Sequence, residues 1–105
     1  MPEKMTTFTL VTVDIAGRIH HPAAFIPDKG SVLFLVREPH NSFDPNAVRI
    51  EDPHPAKDQL LGYVPRQAAI IVALLMDNGY KLDCVVADLR GPLAITVSIN
   101  MPKAL

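Results

Sequence analysis

Val36-Arg37-Glu38-Pro39-His40-Asn41-Ser42-Phe43-Asp44-Pro45-Asn46-Ala47-Val48 is the stretch on which the reading of this chain turns. It leaves an apolar strand pattern, Val32-Leu33-Phe34-Leu35-Val36, and enters a dense cluster of turn formers. It returns to strand at Ala47-Val48-Arg49-Ile50. Asn, Asp and Ser side chains bond their own backbone in turns and proline fixes φ, so the intervening loop is expected to be stiff. It carries an aromatic, Phe43, an acid, Asp44, and two amides, Asn41 and Asn46. A stiff loop that offers an aromatic beside hydrogen-bonding groups is suited to holding a ligand.

Outward from the loop, residues 31–37 and 47–51 read as two strands of a long hairpin. Residues 8–15 alternate apolar and polar and predict a half-buried strand before it, and 59–64 a short one after it. Pro65 suits the first turn of a helix, where its missing N–H costs nothing. The helix is expected over 65–78, with Gly79 as its left-handed stop. Its stretch Ala68-Ala69-Ile70-Ile71-Val72-Ala73-Leu74-Leu75-Met76 is apolar nearly all round, which predicts a helix plugged into a core. Two further strands, 81–89 and 93–99, are joined by a turn at Arg90-Gly91-Pro92. The sum is a mostly β chain with one main helix, arranged as a small, partly open antiparallel barrel of about six strands.

The whole chain sets limits on function. At 105 residues it is read as a single domain, residues 1–105 with a core at about 8–99. A chain of this size buries roughly two-thirds of its unfolded surface. Net charge is −1, so any attraction to nucleic acid must come from a local patch. Cys84, the single cysteine, excludes an internal disulfide framework and reads as a small buried hydrophobe. The start of the chain carries no secretory pattern, and the longest apolar run falls far short of the roughly 20 residues that span a bilayer. A cytoplasmic protein without membrane contact is expected. The polar segment 52–58 is read as a loop within the domain.

The loop resembles the core signature of the HIRAN domain family, roughly Arg-Glu-Pro-x-Asn-x-aromatic-Asp-x-Asn-Ala-Val. Val13-Asp14-Ile15-Ala16-Gly17 is similar to the family's opening strand and glycine. Leu61-Gly62-Tyr63-Val64-Pro65-Arg66 is similar to its Gly-Tyr-Val-Pro element, which precedes a helix and a closing hairpin. The resemblance implies an OB-like barrel that binds single-stranded DNA at its 3′-end, with the loop aromatic stacked on a base and the aspartate accepting from the terminal 3′-hydroxyl. It also implies a module found attached to helicase or nuclease domains, so a partner of that kind is expected.

For several residues two readings stand side by side. Phe43 either offers its face to a base, a contact worth about 1–3 kcal/mol, or folds inward beneath its own hairpin. Asp44 either reads the hydroxyl or caps the backbone at Asn46 or Ala47, and both roles can coexist. Asn41 is expected to line the pocket and Asn46 to be structural; Tyr63 is placed in the pocket by its motif. Arg18 and Arg66 are the expected phosphate contacts, Arg66 because free N–H groups and the dipole of a helix N-terminus already favour an anion. Arg37 is expected to pair with Glu38 or Glu51.

The chain departs from the family's DNA-end binders at Gly17-Arg18-Ile19-His20-His21, where they carry an arginine followed by paired tyrosines. His20 is the candidate stand-in for stacking. Aliphatic Leu93 stands where those binders have a phenylalanine.

The four histidines lack zinc spacing, no nucleophile has a recognisable base, and there is no glycine-rich phosphate loop, so neither cofactor nor catalysis is expected. Two functions follow: a non-catalytic module that holds a DNA 3′-end in repair or processing, or a protein-interaction module that keeps the fold without DNA affinity. Oligomeric state is not legible.

Overall fold

A computed structural model describes residues 5–17, 27–53, 60–88 and 94–102. Six strands and one helix appear in the expected order: β1 (Met5–Asp14), β2 (Val32–Arg37), β3 (Val48–Glu51), β4 (Leu60–Tyr63), α1 (Arg66–Asp77), β5 (Leu82–Asp88) and β6 (Ala94–Pro102). All neighbours pair antiparallel in the order β1-β6-β5-β2-β3-β4. The class is the one expected, a mostly β, OB-like fold with one helix after the fourth strand. The turn expected at 90–92 lies outside the described residues.

Period-two patterning explains the strands. In β2, Leu33 turns into the core while Val32, Phe34 and Val36 face out. Val48 and Ile50 of β3 are fully buried, and Arg49 and Glu51 alternate with them. Cys84 and Val86 of β5 meet Val97 and Ile95 of β6 across the ladder, and all four are buried.

The six strands form an open sheet whose edges, β1 and β4, meet at one point. Ala16, just past β1, pairs with Tyr63: Ala16 N–H donates to Tyr63 O at 2.8 Å and Tyr63 N–H returns to Ala16 O at 2.9 Å. Gly62 makes this approach possible. Its φ is +148°, and a Cβ there would collide with the Ala16 carbonyl oxygen and with Ile15 Cγ2.

Pro65 is the N-cap of α1, with ψ of 143°, and its carbonyl accepts from Ala68 and Ala69 N–H, each at 2.9 Å. Gly79, at φ +86°, ends the helix. Its N–H bonds Met76 O and the Tyr80 N–H bonds Leu75 O, the paired closure that a left-handed glycine permits.

The expectation that α1 plugs a core is corrected. Only one face, Ala68, Ala69, Val72 and Ala73, is buried, while Ile70, Ile71 and Leu74 are exposed. At 100° per residue the small residues share a side and let the helix lie close on the sheet, which turns the larger aliphatics outward.

Arg37 is also corrected. It pairs with neither Glu38 nor Glu51 but grips Asp77 at the helix C-terminus in a two-pronged bond, Nε to Oδ1 at 2.9 Å and Nη2 to Oδ2 at 3.1 Å. An acid in the last turn opposes the helix dipole, and the guanidinium offsets it. Nη1 also donates to the Ala47 carbonyl at 3.1 Å, so one side chain ties helix, β2 and loop together.

Candidate nucleic-acid interface

The loop between β2 and β3 is two proline turns joined by an amide. In the first turn Asn41 N–H donates to Glu38 O at 3.1 Å, and in the second Ala47 N–H donates to Asp44 O at 3.0 Å. Pro39 and Pro45 follow the first residue of each turn, where their fixed φ is already correct. Glu38 N–H closes the loop onto Ala47 O at 3.0 Å.

Between the turns, Asn41 Oδ1 accepts from Phe43 N–H at 2.9 Å and Asp44 N–H at 3.1 Å. Asp44 Oδ1 accepts from Asn46 N–H at 2.9 Å. The backbone at the tip is therefore held by side chains of its own loop, and Phe43 projects into solvent with 86% of its surface exposed. The inward reading of Phe43 is excluded by that exposure. The capping reading of Asp44 is met at Asn46.

Asp44 keeps capacity beyond that cap. Its Oδ2 stands 3.7 Å from Arg66 Nε, an ion pair but longer than a hydrogen bond, so lone pairs remain for a hydroxyl donor. Arg66, the first residue of α1, is exposed over 73% of its side chain and donates from Nη2 to Phe43 O at 2.6 Å. By helix geometry its own N–H and that of Gln67 lack intrahelical acceptors, and Pro65 offers no side-chain cap.

These groups rim a concave site of about 540 Å³. Its walls are Ala16, Gly17, Ala47, Val64, Tyr63 and Phe43, with Asn41, Asp44 and Arg66 as the polar members. The Ala16–Tyr63 bridge sets one wall and the two-turn loop the other.

Tyr63 is fixed from behind. Its hydroxyl donates to Glu38, 3.1 Å from Oε1 and 3.3 Å from Oε2. Burial, then the bond to Glu38 and its negative charge, push the phenol above its usual pKa of 10, with Arg49 acting in the opposite sense. Glu38 also accepts from Asn41 Nδ2 at 3.0 Å and faces Arg49 Nη1 at 3.6 Å. Arg49 in turn pairs with Glu51 at 2.5 Å, so this cation is engaged on its own strand face.

Five residues read from the sequence as candidates, Asn41, Phe43, Asp44, Tyr63 and Arg66, come together at this one site. Arg18 and His20 lie outside the described residues, as do His21, His54 and Leu93. Sequence reasoning missed Glu38 as the hub behind the loop. Its three-residue offset from Asn41 across a proline turn is a local signal that could have suggested that pair, whereas the bond to Tyr63 is non-local. Cys84 is fully buried, and burial pushes its thiol up to about 12.

Among the described residues no group of three His, Cys, Asp or Glu side chains could hold a metal ion, and no helix is long and apolar enough to cross a membrane.

Comparison with known proteins bears on the fold and the family. A Fanconi-associated nuclease 1 homolog from Oryza sativa subsp. japonica is 36% identical over 76 residues, which covers 70% of this chain but 8% of that protein. The chain thus spans a small part of the curated relative it matches. Among solved structures, a protein from Lactobacillus plantarum superposes with a TM-score of 0.77 at 24% identity, covering 92% of this chain and 98% of its own. The HIRAN domain of human HLTF superposes with a TM-score of 0.70 at 15% identity, covering 92% of this chain and 81% of that one. The HIRAN domain family model matches residues 10–101, nearly the whole of the fold described above, and the chain belongs to the HIRAN domain family.

Proposed function

We propose that this chain is a non-catalytic module that binds the 3′-end of single-stranded DNA in the concave site between the two-turn loop and the start of α1. The observation that carries the reading is the arrangement of Phe43, Asp44 and Arg66 around one opening: an exposed ring, a carboxylate whose Oδ2 is ion-paired at 3.7 Å but hydrogen-bonded by no described residue, and an exposed cation. The terminal base stacks on Phe43, the 3′-hydroxyl donates to Asp44 Oδ2, and Arg66 meets the adjacent phosphate. Tyr63 and Asn41 shape the pocket. Arg18 and His20 are carried forward from the sequence as further DNA contacts.

The relative of nuclease name supports a place in DNA repair or processing, beside a helicase or nuclease partner. The test compares a short linear single strand with a circular one of equal length. A site that reads an end binds the linear form and leaves the circle, whereas equal affinity removes the end-reading claim.

A second reading, a protein-interaction module without DNA affinity, is favoured by one observation, the exposed aliphatic row Ile70, Ile71 and Leu74 on α1. Undetectable binding of both DNA forms at low salt would favour it.

A further inference from the structure

Glu38 lies behind the candidate site and lines none of it, yet it is bonded to both of its walls. Its Oε1 accepts from Asn41 Nδ2 at 3.0 Å and from the Tyr63 hydroxyl at 3.1 Å. Those partners, 22 positions apart in sequence, belong to the loop and to β4, which face each other across the pocket.

The bond to Asn41 decides which way that amide points. With Nδ2 on the carboxylate, Oδ1 is presented to the N–H groups of Phe43 and Asp44. Turned over, the amide would place its oxygen against a carboxylate and its NH₂ against two N–H donors, leaving the amide and both donors unsatisfied. The carboxylate thus selects the single orientation that holds the loop tip. On the other side it fixes the Tyr63 ring through its hydroxyl.

From these contacts we infer that Glu38 is the positioning residue of the site: by locking Asn41 and Tyr63 it sets the separation of the Phe43–Asp44 tip from the β4 wall, and through that the preference for a 3′-hydroxyl end. The last clause rests on the proposed function, and the first does not. In a network of this kind the bonds to Asn41 and Tyr63 share one carboxylate, so removing it costs both at once. Arg49 keeps the carboxylate from being an isolated charge behind the pocket.

The test separates the two halves. In a Tyr80→Phe background Tyr63 is the sole tyrosine, so its phenol is titrated directly by ultraviolet absorbance. Glu38→Gln, nearly isosteric, should lower the Tyr63 titration midpoint towards the ordinary value of 10, since it removes the neighbouring charge. Glu38→Ala should speed amide exchange of Phe43 and Asp44, read by NMR without DNA, by about tenfold. With DNA, Glu38→Ala should cut the ratio of affinities for 3′-hydroxyl over 3′-phosphate strands by at least threefold, with Glu38→Gln intermediate.

Unchanged exchange and an unchanged phenol titration would overturn the positioning role whatever DNA does. Altered exchange with an unaltered end preference would overturn the link from Glu38 to specificity. If the wild-type protein binds neither strand, the DNA reading falls, and the positioning role is decided by exchange and titration alone. Should Glu38→Ala fail to fold, Glu38→Gln decides both readouts.

Discussion

Arg66 donates from Nη2 to the carbonyl oxygen of Phe43 at 2.6 Å, so the first residue of the helix holds the tip of a loop 23 positions earlier in the chain. The same guanidinium balances Asp44, and most of its surface still faces solvent. One side chain therefore braces the Phe43 tip and, in the proposed function, remains available to a phosphate.

That double duty makes Arg66 the site's most informative cation. Arg66→Ala is expected to weaken binding of single-stranded DNA about tenfold, or about 1.4 kcal/mol, uniformly across sequences. It should also reduce the magnitude of the log–log salt slope by about 0.7, the share of one phosphate contact. Arg66→Lys keeps the charge but not the forked geometry, so it should restore the slope and only part of the affinity. Anisotropy titrations at several salt concentrations read both quantities.

Phe43 offers a separation of binding from stability. With 86% of its surface exposed it contributes little to the core, so Phe43→Ala should shift unfolding by no more than about 0.5 kcal/mol. Loss of one stacked base should cost about 1–3 kcal/mol of DNA affinity. Urea melts and binding isotherms on the same protein check the pair, and a large loss of stability with unchanged affinity would reverse the assignment.

Gly62 should tolerate no side chain. Gly62→Ala must move the Ala16 carbonyl and Ile15, breaking the bridge that joins β1 to β4. Overpacking of this kind costs about 1–3 kcal/mol. Because that bridge is also a wall of the pocket, urea midpoint and DNA affinity should fall together.

Cys84 provides a check on the core that is independent of ligand. Burial holds its thiol protonated to about pH 12, against 9.0 when exposed. The unfolded chain loses this proton first as pH rises, so the thiol's contribution to stability is intact below about 9 and declines by about 1.4 kcal/mol per pH unit up to about 12. At pH 8 a thiol reagent should leave the native protein unlabelled and modify it at once in denaturant.

The strands were legible because one face of each is buried, so alternation in residues such as Leu33, Val48 and Ile50 carried the signal. The loop was legible because its prolines and amides act locally: Asp44 on Asn46, Asn41 on Phe43. Composition misled at α1. Ile70, Ile71 and Leu74 made the helix look apolar all round, and only packing reveals that the alanine face is the one that docks. Arg37 with Asp77 and Glu38 with Tyr63 were equally out of reach, since each joins elements whose distance in sequence says nothing of their distance in space.

In the proposed function Asp44 reads the end of a strand, and a change at that end alone should be felt. A single oligonucleotide, prepared with a 3′-hydroxyl and with a 3′-phosphate, is titrated against the wild-type protein and Asp44→Asn. The amide keeps an oxygen for Asn46 N–H and so preserves the turn, but it puts an NH₂ in place of the oxygen proposed to accept from the hydroxyl and removes the charge expected to repel a phosphate. Wild type should bind the 3′-hydroxyl strand at least tenfold more tightly than the 3′-phosphate strand, and the variant should show a much smaller preference. Equal affinity of the wild-type protein for both strands would contradict it.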